Sequence, residues 1–259
     1  MSVQFEPIEQ MRTPQIGFLW AEFRDRFPVT QEHPPVDPVI ERFGIARTGA
    51  PEVRLQMLES PPLPRVWFVT PTGTELIQVQ NDRFIHNWRK VREGDKYPRY
   101  EPIRDTFHSE LQTFQATLAR EQSGTMAINQ CEITYVNHIV AGDGWKIHGD
   151  IGNVLTVCRA EYSDNNLREP EDVRMAVRYV LRDDQNEPVG RLHVSVQPVF
   201  RRSDNQPMLV VTLTARSRPS GEQLDDAIRC LNFGRDAIVR SFASITTPEM
   251  HAIWGRKDA

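Results

Sequence analysis

Gly73 to Val91 read GTELIQVQNDRFIHNWRKV. Two runs rich in branched and aromatic residues flank Asn81 and Asp82, a pair that tolerates tight turns, so the stretch is expected to form a hairpin. Before it, EVRLQML (52–58) and PRVWFVTP (64–71) read as strands parted by the turn-former ESPPL. After it, YEPIRDTFHSELQTFQATLARE (100–121) changes to the helical period. Pro102 stands near its start, Ile103, Phe107, Leu111, Phe114 and Leu118 form the apolar stripe, and Gly124 supplies the stop.

Nearer the N-terminus, VQFEP is short enough for a single edge strand. TPQIGFLWAEFRDRF (13–27) follows as a helix, with Thr13 as cap, Pro14 at the first helical position, and Ile16, Leu19, Trp20, Phe23 and Phe27 on one face. FPVTQEHPPVDPV (27–39) is expected to be a loop, because each proline removes a donor and restricts its predecessor.

The second half repeats this order of elements. INQCEITYVNHIV (128–140) reads as a strand, and the glycine-rich AGDGWKIHGDIGNVL (141–155) has room for a short helix. Four strand candidates follow: VLTVCRAEY (154–162), VRMAVRYVLR (173–182), GRLHVSVQPVF (190–200) and PMLVVTLTARSR (207–218). In the third of these, Leu192, Val194 and Val196 alternate with polar residues, the mark of a sheet with one wet face. SGEQLDDAIRCLNFGRDAIVRSFASI (220–245) is a long helix. Ser220 and Gln223 have capping-box spacing, and Leu224, Ile228, Leu231, Ile238, Phe242 and Ile245 form its stripe. TTPEMHAIWGRK (246–257) reads as a short helix from Pro248 to a stop at Gly255.

The expected class is therefore α+β in two similar halves, 1–124 and 125–259. Each half would be an antiparallel sheet of about four to five strands with a long helix packed on one face. The halves share one long sheet or, alternatively, the chain is a single continuous domain without internal symmetry.

Composition narrows the function classes. The chain has 259 residues, of which 39% are hydrophobic and 25% charged, with a formal net charge of -4. The mild acidity argues against non-specific coating of nucleic acid but leaves room for a local basic patch. No apolar run approaches the ~20 residues of a membrane span, and the N-terminus lacks a signal-peptide pattern, so a cytoplasmic location is expected. Cys131, Cys158 and Cys230 are widely spaced and odd in number, with no C-x-x-C pair, so they read as reduced thiols.

Four blocks, ELIQVQNDRFIHNWRK, YPRYEPIRDTF, CEITYVNHI and SFASITTPEMHAIWGRK, together resemble a sporadically distributed bacterial family of about this length whose function is uncharacterised. The likeness runs from Gln15 to Arg256 with the blocks in the family's order. It implies a bacterial intracellular protein encoded in an accessory or mobile-element-linked locus, and it carries over no catalytic residue.

Two segments stand out as candidate sites. Asn87, Trp88, Arg89, Lys90, Tyr97, Arg99 and Tyr100 suit phosphate or base contacts, or else a corner that needs polar partners around REGDKYP. In CEITYVNHI, Glu132, Thr134, Val136 and His138 share one strand face, and Cys131, Ile133, Tyr135, Asn137 and Ile139 the other. Glu132, Tyr135, Asn137 and His138 are its candidate binding residues. Glu132 and His138 lie about 20 Å apart along a strand, so an acid–base role needs a partner such as Asp143 or His148.

No catalytic motif, cofactor loop or metal-binding helix pair is present, and the H-x-D spacing of His148 and Asp150 is a weak signal. The reading that follows is a non-enzymatic protein-interaction component without cofactor or metal. A nucleic-acid-binding module using Arg83 to Arg104 is the alternative, and a small-ligand enzyme using Glu132, His138, His148 and Asp150 is a third. Self-association through edge strands stays open.

Overall fold

Runs of branched and aromatic residues joined by short connections satisfy their backbone groups by antiparallel pairing. Nine strands do so among the described residues, and the fold is α+β. The computed structural model describes residues 1–44, 63–159, 165–167 and 170–256. In chain order the elements are β1 (Ser2–Phe5), α1 (Thr13–Phe23), β2 (Val29–His33), β3 (Arg65–Val69), β4 (Glu75–Gln80) and β5 (Arg83–Trp88). Then come α2 (Tyr100–Arg120), β6 (Ile128–Val140), α3 (Ile151–Val154), β7 (Met175–Arg182), β8 (Pro188–Phe200) and β9 (Pro207–Ser217). The chain finishes with α4 (Leu224–Ile245) and α5 (Pro248–Ile253). The strands form one sheet in the order β2-β3-β4-β5-β1-β6-β9-β8-β7.

The residues divide into two compact units, Met1–Glu132 with Ser217–Leu231, and Ile133–Arg216 with Asn232–Ala259. In the first, Phe84 of β5 meets Phe23, Phe107 and Phe114 at centroid distances of 6.2, 6.0 and 5.1 Å, and Phe5 reaches Phe114 at 5.7 Å. The helical stripes expected on α1 and α2 are thus the lid of an aromatic core.

In the second unit, Leu192, Val194 and Val196 of β8 and Leu209, Val211 and Leu213 of β9 are buried, with Ala237 and Ile238 of α4 also buried. Gly234 lets α4 approach the sheet: a Cβ there would sit 2.9 Å from Ile133 Cγ2 and 3.2 Å from Ala215 Cβ. Gly234→Val should therefore lower stability by about 2 kcal/mol in urea titrations, since overpacking a filled core costs in that range. Gly234→Ala should cost less, because better helix propensity offsets part of the clash. Equal effects would contradict this.

The hairpin expected at Asn81 and Asp82 forms, with Gln80 opposite Arg83 and Glu75 opposite Trp88. Several other expectations change. VQFEP is not an edge strand: β1 lies between β5 and β6, with Val3 opposite both Phe84 and Cys131. The proline-rich 27–39 segment contains β2, because Pro28 and Pro34 flank rather than interrupt its five donors. Arg12, not Thr13, caps α1, its N–H donating to Gln15 Oε1 at 3.1 Å.

Helix α2 stops before Gly124. Gln122 takes the left-handed conformation (φ 50°), Ser123 N–H returns to Leu118 O at 2.9 Å, and Gln122 N–H reaches Ala119 O at 3.2 Å. At α4 the carboxylate of Asp226 accepts the Gln223 N–H at 3.0 Å, so Ser220 does not close the capping box. VLTVCRAEY is not a strand where it is described. Val154 ends α3, a 3-10 turn covers Thr156–Cys158, and Thr247 N–H and Oγ1 hold the Val154 and Asn153 carbonyls at 3.0 and 2.6 Å. EVRLQML lies outside the described residues. Helix α5 forms as expected, with Thr247 accepting Met250 N–H at 3.3 Å and Gly255 at φ 64°.

Candidate functional site

The polar block after the hairpin builds a corner. Arg89 donates through its main chain to Thr74 O and through Nε to Gly73 O, both at 2.8 Å, bracing the β3–β4 side of the turn. Asn87 Oδ1 accepts from Gln78 Nε2 at 2.6 Å, and Trp88 meets Tyr97 edge-on at 5.3 Å. Asp95, which sequence reading passed over, closes the REGDKYP turn by accepting the Val91 and Arg92 N–H groups at 2.9 and 2.7 Å. Those two bonds hold its carboxyl below the usual range. Tyr100 is buried at the start of α2 under the Arg104 guanidinium, and Arg99 precedes it at φ 72°. Lys90 and Arg99 are exposed.

The first unit also holds an arrangement that no motif announced. Gln80, Arg83, Gln4 and Gln130 stand side by side on β4, β5, β1 and β6, as their pairings show. They grip the main chain of an extended strap, residues 36–41. Gln80 Oε1 accepts Val36 N–H at 2.9 Å while its Nε2 donates to Val36 O at 3.0 Å. Arg83 donates to Asp37 O at 2.9 Å, and Gln4 Oε1 accepts Val39 N–H at 3.1 Å. Gln130 Oε1 accepts Glu41 N–H at 2.9 Å, and its Nε2 donates to Val39 O. Arg83 is therefore committed inside the chain, braced by Asp82 at 3.1 Å.

The second candidate segment occupies β6. Its two neighbours differ in length: β1 accompanies it only from Ile128 to Glu132. On the other flank Ala141 N–H donates to Pro207 O at 2.9 Å, and the Thr134 and Thr214 hydroxyls meet at 2.9 Å. Both fix one register with β9, in which odd-numbered β6 residues direct their main-chain groups to β9. The even-numbered Val136, His138 and Val140 direct theirs to the side that β1 has left, where no strand pairs with them among the described residues.

That open edge borders a groove of about 400 Å³ lined by Val136 to Val140, Phe242 and Trp254. Phe242 and Trp254 stack at 5.8 Å, forming one wall, and Trp254 remains 39% exposed. Asn137, itself part of the groove lining, donates through Nδ2 to Val211 O at 3.3 Å. Tyr135 and Glu132 are half-buried, and His138 is exposed.

Two residues of the enzyme reading, His148 and Asp150, contact nearby backbone groups. His148 Nε2 lies 3.0 Å from Val199 O and 3.3 Å from Met208 O, between β8 and β9. Asp150 accepts the Lys146 and Ile147 N–H groups at 2.8 and 3.0 Å, which lowers its pKa. Among the described residues no group of three or more His, Cys, Asp or Glu is placed to hold a metal ion, and no helix is long and apolar enough to cross a membrane. No protein-family model, curated protein or solved structure matches the chain.

Proposed function

We propose that the chain is a non-enzymatic binding component that takes up an extended segment of a partner protein by strand addition along Val136–Val140. The observation that carries this reading is the open edge of β6 beside the Phe242–Trp254 wall. Unpaired main-chain groups select an extended backbone, and the groove selects a large apolar side chain on it. On the same footing stand the family resemblance, the bacterial accessory locus it implies, the cytoplasmic location, and duplication of one plan in the two halves. The last is supported by strand order: read outward from the middle, β1-β5-β4-β3 and β6-β9-β8-β7 place equivalent strands in equivalent positions.

The test is selection of a phage-displayed random peptide library on the full chain. Enriched peptides should alternate aromatic or branched residues with polar ones. His138→Pro should abolish their binding with little change in melting temperature, since its N–H faces outward and an edge tolerates proline. Asn137→Pro should instead lower the melting temperature, because its N–H belongs to the β9 ladder. Absence of enrichment, or binding that survives His138→Pro, would overturn the reading.

A further inference from the structure

Cys131 and Cys230 are far apart in the sequence but meet in the first unit. The register of β6 with β9 sets Cys131 opposite Ser217, because 134 faces 214 and 141 faces 207. Cys230 of α4 reaches the same point. Its Sγ lies 2.9 Å from Ser217 Oγ and 3.5 Å from the Ser217 carbonyl oxygen, and it is hydrogen-bonded to Cys131. Cys131 is 1% exposed and Cys230 is half-buried, so Cys230 is the more exposed of the pair.

The pair is asymmetric in acidity as well. The hydrogen bond to Cys230, with burial, pushes the Cys131 thiol well up. The Cys131 hydrogen bond, aided by Ser217, outweighs burial and holds Cys230 below the ordinary thiol value. The more exposed sulfur is thus the one that a peroxide meets first, as oxidation-sensitive thiols require.

We infer that Cys230 is a site of oxidation by hydroperoxides and that Cys131 is its resolving thiol, the two closing a disulfide between α4 and β6. The Cys230 thiolate attacks one peroxide oxygen. An S–O bond forms, the O–O bond breaks, and the departing hydroxide takes a proton to become water. The Cys131 sulfur then attacks Cys230. The S–S bond forms as the S–O bond breaks, and hydroxide leaves with the Cys131 proton as a second water. Two thiols are oxidised and the peroxide is reduced to water. Cys158 is half-buried, and burial pushes its thiol up.

The experiment treats the full folded chain with hydrogen peroxide, quenches it, alkylates the remaining thiols after unfolding, and maps the peptides by mass. The expected product is a Cys131–Cys230 cross-linked peptide lighter by two hydrogens, with Cys158 still alkylated. Cys131→Ser should stop the reaction at a Cys230 sulfenic acid trapped by a 1,3-dione probe. Ser217→Ala should slow the oxidation about tenfold, since losing a donor to the thiolate raises its pKa by about one unit. Oxidation of Cys158 ahead of the pair, both paired thiols remaining alkylated, or an unchanged rate in Ser217→Ala would overturn the assignment.

Discussion

Phe84→Ala is expected to cost about 4 kcal/mol of folding stability, read as a lowered urea midpoint at unchanged slope. Phe84 is fully buried and touches three other phenylalanines drawn from both covering helices. Truncation removes the transfer energy of a whole ring and leaves a space that neither strand nor helix can close. The neighbours β4 and β1 fix Phe84 at Val79 and Val3, so the backbone has little freedom to collapse. Phe84→Leu should recover more than half of the loss, because a smaller cavity carries a smaller cost. A loss under about 1 kcal/mol for the alanine variant would mean that the aromatic core is not the main support of this unit.

Glu110→Ala is expected to cost about 3 kcal/mol, for a different reason. Glu110 projects from α2 into the interior, where its side chain is 6% exposed. One oxygen accepts from Arg26 Nη1 at 2.9 Å and the other lies 2.7 Å from His86 Nδ1. Removing the carboxylate leaves the buried His86 ring without that partner and leaves Arg26 with Glu75 alone. Desolvation of the orphaned groups, rather than the lost attraction, dominates. Glu75 also binds Arg26 but is more exposed, so Glu75→Ala should cost below about 1 kcal/mol. Thermal or urea unfolding of both variants at neutral pH decides the matter. Equal losses would contradict the burial argument.

The readable parts of the fold were those whose signal is local. The β4–β5 hairpin announced itself through Asn81-Asp82 between two branched runs, and α5 through Pro248 and Gly255. The place of β1 was not readable, because strand order depends on pairing with Phe84 and Cys131, neither of which leaves a mark near Val3. Likewise VLTVCRAEY satisfies a strand pattern, yet the contacts that bend it come from Thr246 and Thr247.

The candidate sites divide along the same line. The alternation of CEITYVNHI correctly separated His138 from Asn137. That β6 outruns β1 follows only from their register, and the aromatic wall arrives from α4 and the residue after α5. Gln4, Gln80 and Gln130 look like ordinary wet-face residues until the strand order sets them in a row. The sulfur pair was hidden for the same reason: spacing rules for cysteines see neighbours in sequence, not across a sheet.

The row grips the strap by its peptide groups at Val36, Asp37, Val39 and Glu41. The side chains of Val36, Asp37, Val39 and Ile40 are exposed, and its proline, Pro38, stands where no N–H is demanded. Residues 36–40, held by their backbone with their side chains exposed, are free to change their lettering, provided Val36 and Val39 are not replaced by proline. Mutational drift can therefore rewrite this strip of surface at almost no cost to folding. The protein carries a blank label, and a foreign extended epitope grafted there should be displayed in a fixed, straightened form.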